Sequence, residues 1–323
     1  VREQLERIHK NQDTPSRLSP EDLAVYNKFH FVYEKDKFLK ASKRKRLRFQ
    51  LGQKDRFVLG IYFSGRYIRE MEKIFREEKA PAELTRLPFV ESSFNIYAYS
   101  RVGASGIWQF MRSTGRLFKL KSDSIRDMRN DPLSATRAAA KLLRANFKML
   151  GSWPLALTGY NHGPLGVAKL VKKMGTDDIN EIVWNATGRR FGFASENFYA
   201  EFLAALEVET HADKYFGKLM VSPPLEYEEV ATPRPMSFGQ LAYVMAGLKD
   251  NNQKYEDDYE KTKLYNPFFV HAVNAGYRQI PKDFVVRIPR GQKDGFAATA
   301  SKLDGIKIAP VLKSGMYKIL PGD

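Results

Sequence analysis

The stretch from Leu87 to Met111, "LPFVESSFNIYAYSRVGASGIWQFM", contains one acidic residue, Glu91, among apolar, aromatic and small residues. The four residues before it are apolar, so burial in a cleft would desolvate the carboxyl and raise its pKa. A carboxyl that stays protonated near neutral pH can act as a general acid toward a leaving oxygen. The alternative is an exposed helix residue or a partner in a helix cap.

Composition limits the classes of protein that need to be considered. The 323 residues are 43% hydrophobic and 13% aromatic, enough for a sizeable core and for two or three compact units. Lys and Arg number 53 against 37 Asp and Glu, a net charge of +16, which favours a polyanionic partner such as nucleic acid, anionic lipid or an acidic cell-wall polymer. The absence of cysteine excludes disulfides, thiolate metal sites and a Cys nucleophile.

Other function classes lack their sequence signals. No apolar run approaches the roughly 18 residues of a membrane span, and no zinc-ligand spacing, RNP-like strand or recognition-helix motif indicates a nucleic-acid binder. The five histidines show no paired ligand spacing, and no glycine loop is suited to phosphate. We therefore expect no metal, no cofactor and no nucleic-acid partner.

The apolar spacing predicts a mainly α-helical protein. A helical N-terminal lead-in is expected over residues 1–80, with Pro81 ending its last helix, and an all-helical middle domain over 81–217. Within that domain the spacing predicts a helix from the Asp131 cap to Gly151, and another from a Ser195 cap to Gly217. Pro-rich turns and the β-branched "DFVVRIPRG" predict a small α+β appendage over 218–323.

Uncharged polar residues accompany Glu91 in the chain. Gly103 and Gly106 would let the backbone approach a ligand closely, and the Gln109 amide can both donate and accept hydrogen bonds. The later "GYNHG" adds Tyr160 and Asn161. A cleft lined by amides, hydroxyls and aromatic rings, with one acid, suits a neutral polyhydroxylated substrate better than a phosphate.

Four segments in order resemble a known family. They are "ESSF" at 91–94, "GASGIWQFM" at 103–111, "ALTGYNHG" at 156–163 and "SENFYAEFLAAL" at 195–206. This order is similar to that of the family-23 lytic transglycosylases, which have a goose-lysozyme-like fold and cleave peptidoglycan. The likeness is greatest to the membrane-bound lytic transglycosylase D type and covers roughly residues 55–217. More weakly, "YRQIPKDFVVRIPRG" resembles the tail of that group, where a degenerate LysM-like βααβ glycan-binding unit is expected.

The resemblance implies roles for individual residues. Glu91 would be the catalytic acid and then the base, Ser92 would position the sugar or Glu91, and Gly106 would shape the floor of the cleft. The subsites would be lined by Gln109, Tyr160 and Asn161. The reaction implied is cleavage of the β-1,4 bond between N-acetylmuramic acid and N-acetylglucosamine, with the muramyl C6 hydroxyl closing a 1,6-anhydro ring. Because the substrate supplies the nucleophile, a second protein carboxylate is not needed.

The sequence departs from the family pattern at several positions. Gly159 stands where Ala is usual before the Tyr-Asn pair, and His162 follows that pair in place of a small residue. Phe198 occupies the position of an expected Tyr, with Tyr199 beside it. We count His162, Phe198 and Tyr199 among the candidate substrate-binding residues, and their identity could alter the preference for acetylated or de-N-acetylated glycan.

Two alternatives remain open at this point. A lysozyme-type hydrolase would need a base carboxylate about 6.5–9.5 Å from the acid in an inverting mechanism, for which Asp123, Asp127 and Asp131 are candidates. A catalytically inactive murein-binding protein is the second.

The substrate implies a location and an assembly. We expect the periplasm, the periplasmic face of the outer membrane, or secretion from a bacterium. Association with the outer membrane would depend on a leader or anchor that is absent from this chain. We expect peptidoglycan glycan strands as the partner, and a monomer.

Overall fold

The computed structural model describes residues 1–43, 46–47, 53–186, 191–247 and 255–303. The chain forms two compact units, Val1–Lys54 and Asp55–Asp323. The division into three domains at residues 80 and 217 stays a prediction.

The first unit is a small helical cluster. Its helices are α1 (Arg2–Asn11), α2 (Pro20–Asn27) and α3 (Lys37–Ser42). Leu5, Ile8 and Phe38 are buried between them. The Arg7 guanidinium holds the Asp22 carboxylate at 2.8 and 2.9 Å, which joins α1 to α2.

The second unit is also mainly helical, as predicted. Its helices are α4 (Gln53–Ser64), α5 (Ile68–Glu77), α6 (Leu87–Glu91), α7 (Arg112–Leu117), α8 (Pro132–Leu150), α9 (Trp153–His162), α10 (Pro164–Met174), α11 (Ile179–Asn185), α12 (Phe193–Thr210), α13 (Ala212–Phe216), α14 (Phe238–Met245), α15 (Tyr255–Tyr265), α16 (His271–Asn274) and α17 (Lys293–Ser301). In the part of the chain that the structure describes, none of the helices combines the length and apolar character that crossing a membrane requires.

The predicted ends of α8 are confirmed. The Asp131 side chain accepts a hydrogen bond from the Ser134 N–H at 2.9 Å, with Pro132 at the first helical position. At the other end Gly151 adopts φ +81°, the left-handed conformation that glycine permits after a helix. These caps define the long helix on which the site is built.

Two other predicted helices are interrupted. The run expected to end at Pro81 breaks between α4 and α5. Gly65 lies in this break, and a Cβ there would lie 2.2 Å from the Ser222 carbonyl oxygen. The helix predicted from Ser195 to Gly217 instead begins after Gly192 and is divided at His211 into α12 and α13. The prediction of Ser195 as a cap was wrong, because its hydroxyl bonds elsewhere.

The main core lies where α5, α6, α8, α9 and α12 pack together. Its fully buried side chains include Phe75, Leu87, Trp108 and Leu143. At about 25 cal/mol per Å² of apolar surface, burial of such side chains supplies the main driving force for this arrangement. Glu91 ends a helix, α6, that is anchored in this core.

The C-terminal part contains the sheet. Strand β1 (Tyr227–Ala231) pairs antiparallel with β2 (Val285–Pro289), and α14 to α16 lie between them in sequence. The strand predicted in "DFVVRIPRG" is confirmed, whereas β1 falls in a segment interpreted as turn. This part joins the segment before α8 directly, because the Asp127 N–H donates to the Phe268 carbonyl at 2.7 Å.

Candidate active site

Glu91 is the last residue of α6, and its side chain is half-buried. Among the described residues its carboxyl has no hydrogen-bond or ion-pair partner. Burial, and secondarily the negative charge of Glu201, raise the pKa of Glu91 to about 8. The group is therefore mostly protonated at neutral pH, as a general acid requires.

Ser92 connects the end of α6 to the loop that follows. Its hydroxyl donates to the Ile107 carbonyl at 2.9 Å, and the Pro88 carbonyl lies 3.3 Å from the same oxygen. Of the two predicted roles, this geometry supports the one in which Ser92 positions Glu91. The next two residues, Ser93 and Phe94, have φ of +51° and +56° and turn the chain away from the helix.

Residues 98–110, which follow α6 in the chain, form a tight hairpin. The Gly106 N–H donates to the Ala98 carbonyl at 2.9 Å, and Ser105 forms bridges with both Tyr99 and Phe110. The Gln109 side-chain nitrogen donates to the Gly106 carbonyl at 2.8 Å and to Ala98 at 3.3 Å. Because the nitrogen is used inside the hairpin, the Gln109 amide oxygen remains as the acceptor for a ligand.

Gly106 is required by its surroundings. A Cβ at this position would lie 2.0 Å from the Arg129 carbonyl oxygen, and its φ is +77°. We predict that Gly106→Ala destabilises the protein far more than Gly103→Ala. Gly103 has a similar φ of +87°, but its nearest contact would be the Tyr99 hydroxyl at 3.7 Å.

Thermal unfolding of the two glycine variants tests this prediction. Gly103→Ala should cost about 1–2 kcal/mol from the left-handed backbone alone, whereas Gly106→Ala must also displace the segment carrying Arg129. Equal losses of stability would show that the backbone approach at Gly106 is unimportant.

A buried ion pair between Arg129 and Asp127 stabilises the hairpin. Arg129, 2% exposed, pairs with Asp127 at 2.6 Å, and its remaining N–H groups donate to the Gly103 carbonyl at 2.7 Å and the Phe110 carbonyl at 2.9 Å. Trp108, in the same hairpin, donates to the Thr136 hydroxyl on α8 at 2.9 Å. These hydrogen bonds hold the hairpin at Gly103, Trp108 and Phe110, on both sides of Gln109 in the chain.

Tyr160, on α9, reaches the same hairpin. Its hydroxyl donates to the Trp108 carbonyl at 2.7 Å. Burial first, and then the charge of Glu91, keep the pKa of Tyr160 well above its ordinary value, so it stays a neutral donor. Ser92, Gln109 and Tyr160 therefore all contact residues 106–108 of the hairpin, and the charge of Glu91 acts on Tyr160.

Asn161 and His162 end α9 beside α12. Asn161 is exposed, and its amide oxygen accepts from the Ser195 hydroxyl at 2.9 Å, while the His162 Nδ1 lies 3.2 Å from that hydroxyl oxygen. Burial lowers the pKa of His162, which keeps the ring neutral near pH 7. Sequence reasoning missed Ser195 as a site residue because serine near the start of a helix is usually a cap.

Phe198 and Tyr199 lie on α12 with different surroundings. Phe198 is 3% exposed and packs in the main core, whereas Tyr199 is partly buried between that core and the smaller cluster around α10 and α11. Phe198 therefore forms part of the wall behind the site. A direct role of either residue in substrate binding stays a prediction.

Glu201 is a further carboxyl that sequence reasoning missed. It lies on α12, which packs against α6, and its charge contributes to the raised pKa of Glu91. Burial also raises the pKa of Glu201 itself. The one signal in the sequence was the position of Glu201, about one helical turn after Phe198.

The three aspartates considered as bases are engaged elsewhere. Asp127 is buried against Arg129, and Asp131 caps α8 and pairs with Arg287. Asp123 is partly buried, which alone would raise its pKa, but hydrogen bonds from the Ile125 and Arg126 N–H groups and the Arg126 charge lower it. These contacts give each aspartate a structural role.

One family of known proteins matches the part of the chain that contains Glu91. Residues 67–183 match the family described as "Transglycosylase SLT domain". This segment contains Glu91, the hairpin, Tyr160, Asn161 and His162. The SLT segment ends before α12, so Ser195 and Glu201 lie outside it.

Three similar proteins match parts of the chain, and the two from Escherichia coli match more of it than the SLT segment. Membrane-bound lytic murein transglycosylase D of Escherichia coli (strain K12) is 28% identical over 187 residues, which cover 54% of this chain and 41% of that protein. The same values hold for the protein of that name from Escherichia coli O6:H1. A protein of Alteromonas sp. (strain M-1), named as a tributyltin chloride resistance protein, is 32% identical over 108 residues. These residues cover 33% of this chain and 50% of the length of that protein. The match thus spans about two fifths of the length of the Escherichia coli relatives.

Proposed function

We propose that this chain is a peptidoglycan lytic transglycosylase in which Glu91 acts alone as acid and base. The observation that carries the proposal is the half-buried Glu91 carboxyl, unpaired among the described residues and with a pKa of about 8. The SLT match and the transglycosylase relatives support the same reaction. We also propose that the chain is a family-23 enzyme of the membrane-bound lytic transglycosylase D type.

The reaction proceeds in two proton transfers. Protonated Glu91 donates its proton to the glycosidic oxygen while the bond from that oxygen to C1 of N-acetylmuramic acid breaks, releasing N-acetylglucosamine at the new end. The muramyl C6 hydroxyl then attacks C1, and the Glu91 carboxylate takes its proton. No water is consumed, the product is the 1,6-anhydro sugar, and Glu91 returns to its starting state.

Other residues hold the glycan in the proposed site. The Gln109 amide oxygen accepts hydrogen bonds from sugar hydroxyl or amide groups. The exposed Asn161, at the end of α9, lines another part of the proposed site. Ser92 and Tyr160 act by holding α6 and α9 on the Trp108 hairpin. Phe198 and Tyr199 form the wall, and Gly106 lets the hairpin lie against the segment behind it.

A cluster of positive charge on the surface supports a carboxylate-bearing polymer as substrate. A surface groove of about 420 Å³ is lined by the cationic residues Arg112, Arg116, Lys119 and Lys121, with Leu120 and Ser122. It begins three residues after Gln109 in the chain. The stem peptides of peptidoglycan carry carboxylates, so the groove would attract the strand through them.

The C-terminal part has the order of a glycan-binding unit. β1, α14, α15 and β2 follow each other as βααβ, with α16 added before β2. This order supports a degenerate LysM-like role for residues 218–323, of which 304–323 lie outside the described residues. The proposed reaction takes place in the periplasm or at the periplasmic face of the outer membrane, where the substrate lies.

Digestion of purified murein sacculi tests the proposed function. Soluble products that carry 1,6-anhydromuramyl ends are expected by mass spectrometry from native sacculi. Binding of sacculi without any release of soluble fragments would instead mean a catalytically inactive murein-binding protein. Release only from de-N-acetylated sacculi would contradict cleavage beside N-acetylated muramic acid and assign the departures at Gly159, His162 and Phe198 a role in substrate choice.

A lysozyme-type hydrolase is the second candidate, and Glu201 is the observation that favours it. Because the charge of Glu201 acts on Glu91, Glu201 is the carboxylate that this alternative assigns to the activation of a water molecule. A hydrolase would give reducing-end products heavier by one water, and Glu201→Gln would then abolish turnover.

The pH dependence of activity follows from the pKa of Glu91. The acid must be protonated in the free enzyme, so kcat/KM is expected to fall as the pH rises through about 8. Glu201→Gln removes the negative charge that helps to raise this pKa, and should move the fall to lower pH while keeping turnover.

Glu196→Gln serves as the matched control for this pH experiment, since Glu196 lies on the same helix and does not act on Glu91. Its profile should coincide with that of the wild type. An unchanged alkaline limb in Glu201→Gln would contradict the electrostatic coupling between the two carboxyls.

A further inference from the structure

Three side chains from two helices form a continuous hydrogen-bonded line beside the site. The Ser195 hydroxyl lies between the Asn161 amide oxygen, at 2.9 Å, and the His162 Nδ1, at 3.2 Å. Ser195 is 8% exposed and His162 is half-buried, so the line runs from the interior to the exposed Asn161. It connects the end of α9 to the first turn of α12.

The direction of the hydrogen bonds follows from the number of protons. A serine hydroxyl has one proton, and here it is donated to the Asn161 oxygen. The contact with His162 is then a hydrogen bond only if the ring nitrogen Nδ1 carries a proton and donates to the Ser195 oxygen. With this orientation of the Asn161 amide, His162 is the tautomer protonated on Nδ1.

The His162 ring packs against Phe191 and Gly166. Phe191, 3% exposed, meets it edge to face with ring centroids 5.2 Å apart. A Cβ on Gly166 would lie 2.7 Å from the imidazole Cδ2 and 2.8 Å from Nε2. The ring occupies the space that a side chain at position 166 would fill, so its orientation toward Ser195 is fixed by packing.

We propose that His162 and Ser195 are positioning residues that set the orientation of the Asn161 amide, so that its nitrogen faces the cleft as a hydrogen-bond donor. The functional part rests on the proposed peptidoglycan site. Asn161 then offers N–H groups to an oxygen of the glycan, such as an acetamido carbonyl, while Gln109 offers an oxygen. His162 contributes without touching the substrate, which revises its predicted role in substrate binding.

The tautomer of His162 tests the arrangement without any substrate. The imidazole nitrogen NMR spectrum of the full chain at neutral pH should show His162 protonated on Nδ1. In the opposite arrangement the Asn161 nitrogen would donate to Ser195 and the serine to His162, which requires protonation on Nε2. Observation of that second tautomer would overturn the proposal, whatever the chain does to murein.

Paired substitutions test the consequence for binding. In His162→Asn the side-chain nitrogen can take the place of Nδ1, whereas in His162→Gln it extends too far to reach Ser195. The probe is a soluble tetrasaccharide of alternating N-acetylglucosamine and N-acetylmuramic acid, bound to Glu91→Gln protein by calorimetry so that no turnover occurs. Loss of the oriented donor should weaken binding by about three- to tenfold in His162→Gln and Ser195→Ala.

The conservative variants distinguish positioning from general stability. His162→Asn and Ser195→Thr should bind the tetrasaccharide within about twofold of the parent, and Gly166→Ala, which displaces the ring, should resemble His162→Gln. In the Glu91-containing enzyme, His162→Gln, Ser195→Ala and Gly166→Ala should raise KM more than they lower kcat. Equal binding by His162→Asn and His162→Gln would overturn the proposal, whereas absence of binding in the parent would count against the proposed function alone.

Discussion

Glu91→Gln is expected to lower turnover of peptidoglycan by about 10²–10⁴-fold, the usual contribution of a general acid and base. Glutamine keeps the size of the side chain but can neither donate a proton to the leaving oxygen nor accept one from the C6 hydroxyl. Release of soluble muropeptides under saturating substrate measures the effect. Glu83→Gln, an exposed acid in the turn before α6, is the control and should keep full activity.

The same substitution should alter the pH dependence of stability. The pKa of Glu91 is raised from an ordinary value of 4.5 to about 8 in the folded protein. The unfolded chain therefore ionises first, and the wild type loses stability as the pH rises from about 4.5 through about 8. Glutamine removes this loss, so the stability of Glu91→Gln relative to wild type should increase across that range.

Denaturant unfolding at the two ends of this range measures the change in stability. If the free energies of unfolding of the two proteins keep a constant difference, the carboxyl is not desolvated in the folded state.

If Glu91→Gln retains wild-type turnover, Glu91 is not the acid, and the assignment of the site fails.

Arg129→Met is expected to have the largest effect on stability. It leaves the buried Asp127 carboxylate unpaired and removes the donors to the Gly103 and Phe110 carbonyls. Breaking a buried pair by removing one partner costs about 3–5 kcal/mol. Since these bonds hold the hairpin that carries Gln109, activity should fall even at temperatures where the variant is folded.

Arg137→Met is the matched control for this experiment. Its side chain is 43% exposed and pairs with Glu77 at 2.7 Å and Glu78 at 2.8 Å, a surface arrangement that contributes up to about 1 kcal/mol. A loss of stability in Arg129→Met no larger than in Arg137→Met would contradict the role of the buried pair. If Arg129→Met does not fold, the double variant with Asp127→Asn should recover part of the stability, because no unpaired charge then remains buried.

Local sequence patterns indicated most of the residues that we propose for the site. Glu91 stood out because it is the one acid in an apolar run, and the Asp131 cap with Gly151 set the ends of α8. Gly106 was named as a place of close backbone approach. In the structure it approaches the Arg129 carbonyl behind the hairpin, and its role in shaping the floor of the cleft stays a prediction.

The residues that sequence reasoning missed act across long distances in the chain. Ser195 and Glu201 lie more than a hundred residues after Glu91, and only the packing of α12 on α6 and α9 brings them to the site. Read alone, Ser195 is an ordinary cap and Glu201 an ordinary solvated acid. β1 was missed for a similar reason, since Glu229 pairs with Arg287 of β2 and this strand partner is distant in sequence.

The source of the oxygen at the cleaved muramyl C1 tests the central claim most directly. Native murein is digested in water enriched in heavy oxygen, and the soluble products are examined by mass spectrometry. The account predicts anhydromuropeptides that contain no heavy oxygen, because the C6 hydroxyl of the substrate attacks C1 and Glu91 serves as both acid and base. Reducing-end muropeptides that each carry one heavy oxygen atom would contradict it and assign the attack to water.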